Sequence, residues 1–194
     1  MDDIKTPPAV QQLNPKNWVK AYADYLYLYA ISRVGDEEQA RDLVQETFLA
    51  GLQSMHKFAN KSSERTWLTA ILKNKIYDVY RKKASGFKTE EMINITGEEP
   101  DYFQEDGHWK KDYEPRQFGV DDFDPLVHKE LNQALQKCLK KLPALWLSVF
   151  TMKHMDDEAT DFVCAELRLS QANFWVIIHR AKLNLRACLQ KNWM

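Results

Sequence analysis

A chain of 194 residues, of which 44% are hydrophobic and 12% aromatic, can bury one ordinary core or two small ones, so a disordered protein is excluded. The formal net charge of −1 hides two opposite blocks. Residues 57–88 carry nine Lys and Arg against two acids, and residues 89–125 carry twelve acids against three bases. The basic block has the charge balance of a surface that binds polyanions such as nucleic acid.

Composition also bears on location and chemistry. The N-terminus lacks a cationic segment followed by an apolar one, and no run approaches the roughly 18 apolar residues of a membrane span. The three cysteines, Cys138, Cys164 and Cys188, lack C-x-x-C spacing. We therefore expect a cytoplasmic protein, not inserted in a membrane, whose reduced cysteines act as small core hydrophobes. The alternative is a metal or redox role for these cysteines with His154 and His179.

Three helices are predicted in the N-terminal part. The first helix has an inward face with three- and four-residue spacing, formed by Trp18, Tyr22, Tyr25, Leu26 and Tyr29. Gly35 should end this helix, and Asp36 should cap the second, with Gln39 three residues later. The third helix should begin near Ser62 or Ser63. Its inward positions are Leu68, Leu72, Ile76 and Val79.

The outward face of the third helix mixes rings and cations. It carries Trp67, Lys73, Asn74, Tyr77 and Arg81. Aromatic side chains stack on unpaired bases with about 1–3 kcal/mol per base, while Lys and Arg hold phosphates, so this face suits single-stranded nucleic acid. The alternative is a solvated face with Trp67 and Tyr77 packed against neighbouring helices.

The segment of roughly residues 84–124 is acidic, contains Gly and Pro, and lacks apolar periodicity, which predicts a linker between two helical domains. Beyond it, Pro143 should open a helix, Asp156 or Asp157 should cap the next, and Ser170 the last. The last two helices have the spacing of a helix-turn-helix, whose second helix enters the major groove. An ordinary helical hairpin gives the same spacing.

Both ends together resemble one family. The stretch "DEEQARDLVQETFLAGLQSMHKFANKSSERTWLTAILKNKIYDVYRKK" closely resembles the second conserved region of extracytoplasmic-function (ECF) sigma factors, in which D-L-V-Q-E-T-F and R-T-W-L recur. The stretch from "LKKLPALW" to "HRAKLNLRACL" resembles their fourth region. The resemblance covers roughly residues 16–83 and 126–190.

The resemblance implies an all-α fold of two small domains joined by a flexible acidic linker. The implied boundaries are 10–84 for region 2, 85–125 for the linker and 126–194 for region 4. The expected function is to bind core RNA polymerase and direct promoter-specific initiation, without enzymatic activity or a cofactor. The expected partners are core polymerase, promoter DNA (single-stranded at the −10 element, duplex at the −35 element) and an anti-sigma factor. The chain is expected to be a monomer when free of partners.

The resemblance also assigns residues in the first domain. The positions implied to contact polymerase are Asp42, Gln45, Glu46 and Leu49. The loop implied to capture a flipped base of the −10 element comprises Phe58, Asn60, Lys61, Ser62 and Ser63, and the helix beside it adds Trp67, Lys73, Asn74, Tyr77 and Arg81.

In the last helix, the residue types suggest how the −35 element is read. The candidate residues are Ser170, Gln171, Asn173, Trp175, His179, Arg180 and Lys182. Gln171 and Asn173 can bond base edges, and Trp175 is expected to contact an apolar group such as a thymine methyl. The alternative is that Trp175 packs on the neighbouring helix. Arg168 stands where the family usually has Gly in the turn, so a left-handed conformation there would cost roughly 1 kcal/mol.

Two other classes remain possible from the residues alone. A transposase or recombinase also joins a helix-turn-helix to a basic domain, but it needs a carboxylate cluster on a strand-rich core. A dimeric one-component repressor would need a ligand pocket or a dimerisation helix, and neither can be identified in the sequence.

Overall fold

The computed structural model describes residues 13–59, 61–85, 102–111, 114 and 125–193. Within these ranges the chain forms seven α-helices and no β-strand, so the prediction of an all-α fold is confirmed. None of the described helices is long and apolar enough to cross a bilayer. The chain divides into two compact units, Met1–Asp78 and Val79–Met194, which we call unit 1 and unit 2.

Unit 1 contains α1 (Pro15–Val34), α2 (Glu37–Ser54), a 3₁₀ turn (Met55–Lys57) and most of α3 (Glu64–Ser85). The predicted boundary signals are confirmed. Gly35 ends α1 in the left-handed conformation with φ 73°, and its amide donates to the Ile31 carbonyl. The Asp36 carboxylate accepts from the Gln39 amide at 2.7 Å. Ser63 Oγ accepts from the Thr66 amide at 3.1 Å and caps α3.

The core of unit 1 lies where the three helices meet, and its largest members are Trp18, Leu26, Leu68 and Leu72. The predicted inward position of Tyr25 is wrong, since the residue is 39% exposed. The Arg65 guanidinium lies over the Tyr25 ring at 4.9 Å, and this cation–π contact gives an exposed ring a partner at the surface.

Unit 2 contains α4 (Pro125–Leu139), α5 (Ala144–Phe150), a π turn (Thr151–Met155), α6 (Thr160–Leu167) and α7 (Gln171–Trp193). Its core includes Leu145, Trp146, Met152 and Phe174. Ser170 caps α7 as predicted, because its Oγ accepts from the Asn173 amide at 3.2 Å.

The predicted cap of α6 is wrong. The helix begins at Thr160 after Ala159, and no side chain caps it. The π turn widens the end of α5, and Asp157 then adopts a positive φ of 53°, so neither Asp156 nor Asp157 stands at the helix start.

Arg168 does adopt the left-handed conformation, with φ 55°. Its amide and that of Leu169 donate to Ala165 and Cys164 carbonyls, which closes α6 with the hydrogen bonds of a glycine-type C-cap. Arg168 thus holds a turn conformation that glycine adopts without strain.

Part of the predicted linker is folded. Residues 102–111 form a short hairpin, in which the Lys110 amide donates to the Tyr102 carbonyl at 3.0 Å and the Gln104 amide to the His108 carbonyl at 2.7 Å. Gly107 turns the chain with φ 83°. Tyr102 is 6% exposed. The sequence does not predict this element, because Tyr102, Phe103 and Trp109 follow neither a helical nor a strand period.

Two cysteines are joined. Cys138 of α4 and Cys188 of α7 form a disulfide across 50 residues, whereas Cys164 is a buried thiol. The prediction of three separate reduced cysteines is wrong for Cys138 and Cys188. The sequence gives no signal for their pairing, because they come together only when α4 packs on α7. Closing a loop of this length favours the folded state by about 4 kcal/mol through the entropy of the unfolded chain.

The strained turn gives a stability prediction. Arg168→Gly should raise the free energy of unfolding of unit 2 by about 1 kcal/mol, because Gly adopts a left-handed φ without the clash of a Cβ. Calorimetry of the full chain should show a higher Tm for the transition of unit 2. Asp157→Gly is the matched control, and its gain should be smaller because Asp tolerates this conformation better than Arg. A lower Tm for Arg168→Gly would contradict the account.

Candidate nucleic-acid interfaces

An aromatic cluster lies at the start of α3. The Trp67 ring is half-buried, with its centroid 5.2 Å from that of Phe58 and 6.0 Å from that of Trp18. Phe58 and Trp67 belong to the loop and helix that are predicted to bind single-stranded DNA, and the structure brings their rings together. Trp67 thus combines both sequence-based interpretations, since it packs on its neighbours and still keeps part of its surface exposed.

Glu64 fixes this cluster to the first helix. Its carboxylate accepts from the Asn14 amide at 2.6 Å and from the Tyr22 hydroxyl at 3.0 Å. Burial alone would raise the pKa of Glu64, but hydrogen bonds to the carboxylate outweigh it and lower the pKa below its ordinary value. The pKa of Tyr22 is raised, first by burial and then by its hydrogen bond to Glu64. A charged Glu64 therefore ties α1 to the beginning of α3.

The other residues assigned to the −10 element lie in several environments. Lys61, Ser62 and Ser63 are exposed on the loop, while Asn60 lies outside the described residues. Asn74 is exposed on α3 and Lys73 is half-buried.

Arg81 and Tyr77 occupy the second half of α3. Arg81 is exposed and, within unit 2, pairs with Glu166. The predicted outward position of Tyr77 is wrong, since only 4% of it is exposed. The four-residue stripe of Leu68, Leu72 and Ile76 continues to Tyr80 and Ala84, and the buried face widens at its middle to include Tyr77 beside Ile76.

The predicted polymerase-contacting residues share one exposed face of α2. Asp42, Gln45, Glu46 and Leu49 are all exposed, and Leu49 has 60% of its surface accessible. Lys75 of α3 pairs with Glu46 at 2.9 Å. Leu52, 48% exposed, extends the face by one turn. An apolar residue surrounded by carboxylates and an amide is suited to binding another protein surface.

The N-terminal half of α7 presents the residues assigned to the −35 element. Trp175 is 58% exposed, and its ring meets Phe174 edge to face at 5.2 Å, so its exposure does not fit packing on a neighbouring helix. Ser170, His179 and Lys182 are exposed, and Asn173 and Arg180 are half-buried. Gln171 is exposed, but its amide donates to Asp161 of α6 at 2.8 Å, so base contact would require that bond to break.

One basic cluster was not predicted. Burial, and then the charges of Lys182 and Lys153, lower the pKa of His154. The neutral imidazole is therefore favoured, since burial and both lysine charges oppose its protonation. The sequence signal is weak, because Lys153 and His154 lie in the π turn, far along the chain from α7.

Comparison with known proteins identifies the family. The family model for sigma-70 region 2 matches residues 18–86. A probable RNA polymerase sigma factor from Haemophilus influenzae is 32% identical over 163 residues, which cover 84% of this chain and 83% of that protein. The chain belongs to the ECF sigma factor family of RNA polymerase.

Further relatives agree with this assignment. ECF sigma factor SigW of Bacillus subtilis is 25% identical over 89% of this chain and 87% of its own length. SigX of the same organism is 39% identical over 62 residues, 32% of each chain. A solved structure of the sigma factor RpoE in complex with the anti-sigma factor NepR from Bartonella quintana covers 90% of this chain and 96% of its own, with 21% identity and a TM-score of 0.44. That score is too low to support an argument from its geometry.

Family membership confirms several predictions. A sigma factor acts in the cytoplasm with core RNA polymerase, recognises promoter DNA and has no enzymatic activity of its own. The transposase and repressor alternatives are therefore wrong.

The Glu64 anchor gives a pH-dependent prediction. Because the folded pKa of Glu64 is lowered, its contribution to stability is present above the unfolded value of about 4.3 and is lost as pH falls through the folded pKa. Glu64→Gln should thus lower the free energy of unfolding of unit 1 by about 1 kcal/mol at pH 7, and the difference from the parent should vanish near pH 3. Urea unfolding at both pH values measures it. Glu38→Gln, at an exposed position on α2, is the control, and an equal loss there would contradict the anchor.

Proposed function

We propose that each unit of this sigma factor reads one promoter element, with unit 1 holding the melted −10 strand and unit 2 reading the −35 duplex. The domain boundaries 10–84, 85–125 and 126–194 belong to this proposal. The observation that carries it is the aromatic cluster of Phe58 and Trp67, which is held beside an exposed cationic loop at one end of α3.

Chemistry supports the assignment of this cluster to unpaired bases. A base leaves the duplex stack only if another planar surface replaces its neighbours, and each such contact contributes about 1–3 kcal/mol. Trp67 is already packed on Phe58 and Trp18, so little side-chain freedom is lost when a base stacks on its exposed part. Lys61 and Asn74, both exposed, can then bind phosphate and base edges.

The exposed face of α2 is the proposed polymerase contact. Leu49 and Leu52 expose apolar surface that a monomer leaves in water, and Asp42, Gln45 and Glu46 surround it with polar groups. An apolar centre with a polar rim is the usual anatomy of a protein interface. An anti-sigma factor could bind the same face, since covering it would block polymerase. This partner and the monomeric state stay predictions.

In unit 2, α7 is the helix that we propose to bind the −35 element. The Ser170 cap leaves other first-turn amides of α7 for a phosphate. Asn173 can bond a base edge, and Trp175 provides an apolar contact. His179, Arg180 and Lys182 continue along the helix, and the charge of Lys182 also acts on His154 of the π turn.

Promoter melting should depend on α3. Asn74→Ala and Trp67→Ala should lower permanganate reactivity of thymines around the −10 element at least fivefold, while binding to core polymerase stays unchanged. Asn74 is the cleaner test because its side chain is exposed. Leu49→Ala is the control with the opposite pattern, because it should weaken core binding first. Parental thymine reactivity in both α3 variants would disprove the assignment.

Base selection at the −35 element should depend on Trp175. With promoters selected from a random library by the parent holoenzyme, Trp175→Ala should reduce discrimination at one base pair about fivefold, which is about 1 kcal/mol. Val176, 39% exposed on the same helix, provides the matched control Val176→Ala. If Trp175→Ala keeps parental selectivity and lowers the Tm instead, Trp175 has a packing role.

A further inference from the structure

The disulfide joins the ends of two helices in unit 2. Cys138 lies in the last turn of α4 and Cys188 in the last turns of α7, with Cα atoms 5.8 Å apart. The third cysteine, Cys164, is a thiol with 8% of its surface exposed. Burial, and then the charge of Asp161, raise the pKa of Cys164, so this thiol is poorly reactive.

The two linked cysteines differ in access. Cys138 is 1% exposed, whereas Cys188 is half-buried. The Asn192 side-chain amide is 3.4 Å from Cys188 Sγ, and Asn192 also lines a groove of about 590 Å³ together with Glu130 and Lys137. A small molecule that enters this groove therefore reaches Asn192, which contacts Cys188 Sγ.

The neighbours of Cys188 on α7 contact the linker hairpin and Glu114 beyond it. Two residues before it, the Arg186 guanidinium lies 4.1 Å from the centre of the Trp109 ring. Two residues after it, the Gln190 amide donates to the Glu114 carbonyl at 3.0 Å. The disulfide thus fixes the part of α7 on which the hairpin docks.

A permanent disulfide is unusual in the compartment where a sigma factor works. Cytoplasmic thiols are kept reduced, and the disulfides found there are mostly transient and redox-sensing. A pair of one half-buried and one fully buried cysteine suits the roles of an attacking and a resolving thiol, since exchange rates depend on access.

We propose that Cys138 and Cys188 form a reversible thiol–disulfide exchange site for a small-molecule thiol couple of the glutathione class, and that its state controls docking of the 102–111 hairpin on α7. The dithiol is the form in the reducing cytoplasm, and the disulfide forms when oxidised glutathione accumulates.

The exchange has two balanced steps. The Cys188 thiolate attacks one sulfur of glutathione disulfide, which forms a mixed disulfide and releases one glutathione thiolate. The Cys138 thiolate then attacks Cys188 Sγ, which closes the protein disulfide and releases the second glutathione thiolate. The two cysteines lose two electrons and two protons, and the two glutathione molecules gain them. Reduction follows the reverse path, with glutathione attacking Cys188.

Thiol trapping tests the site. The full chain is equilibrated at a series of reduced-to-oxidised glutathione ratios without denaturant, then alkylated and mapped by mass spectrometry. Labelling of Cys138 and Cys188 should disappear together in one reversible transition, while Cys164 is labelled only after denaturation. A pair that stays labelled in excess oxidised glutathione, or a disulfide that excess reduced glutathione cannot open in the folded protein, would overturn the proposal.

Single variants test the order of attack. Cys138→Ser should accumulate a mixed disulfide at Cys188, because the resolving thiol is missing. Cys188→Ser should form such an adduct at Cys138 at least tenfold more slowly, because Cys138 is buried. Equal or inverted rates would overturn the assignment of Cys188 as the accessible sulfur.

Hydrogen exchange tests the coupling to the hairpin. The Gln104 and Lys110 amides, which bond within the hairpin, should exchange several-fold faster in the reduced chain and in the double variant Cys138→Ser, Cys188→Ser than in the oxidised parent. Cys164→Ser is the matched control and should behave as the parent in both states. Identical exchange in oxidised and reduced protein would overturn the coupling.

Discussion

The first unit depends on a missing side chain at Gly51. A Cβ built there would lie 3.0 Å from both Leu68 Cδ2 and Trp18 Cζ3, so tight that these side chains would have to shift by a few tenths of an ångström. The gap lets α2 approach α3 and lets the Trp18 ring, 1% exposed, fill the space between them. Trp18 supports Trp67, and Trp67 supports Phe58. The surface that we assign to unpaired bases is therefore positioned from the core outward, because interiors packed at crystal density transmit small displacements.

The second unit fixes its recognition surface by a different route. Phe174, Ile178, Ala181 and Leu185 are buried along one side of α7, at helical spacing. Since successive residues are about 100° apart around a helix, burial of Phe174 turns Trp175 away from the core. The ring needs no specific bond to remain at the surface, because the register of the whole helix keeps it there. A rigid helix suits a duplex, whose base edges stand at fixed positions in the groove.

Local chemistry explains which features the sequence predicted. Asp36, Ser63 and Ser170 cap helices through bonds to residues three positions away, so the pattern and its cause lie within one turn. The helical class follows from periodicity in the same way. Features that depend on distant residues were missed, such as the pairing of Cys138 with Cys188, which are 50 residues apart.

The burial of Tyr77 and the docking of Trp109 on Arg186 have the same origin. Tyr77 is buried because the inward face of α3 widens, which a four-residue stripe cannot indicate. Trp109 lies in an acidic segment whose composition predicts solvation, yet a cation–π contact with Arg186 holds it. Exposed ion pairs contribute little to stability and weaken with salt. A ring stacked on a guanidinium also removes apolar surface from water. Glu105 and Asp106 stay exposed on the same hairpin. The hairpin can therefore dock through its ring while its carboxylates remain in solvent, so docking does not require the acidic block to be neutralised.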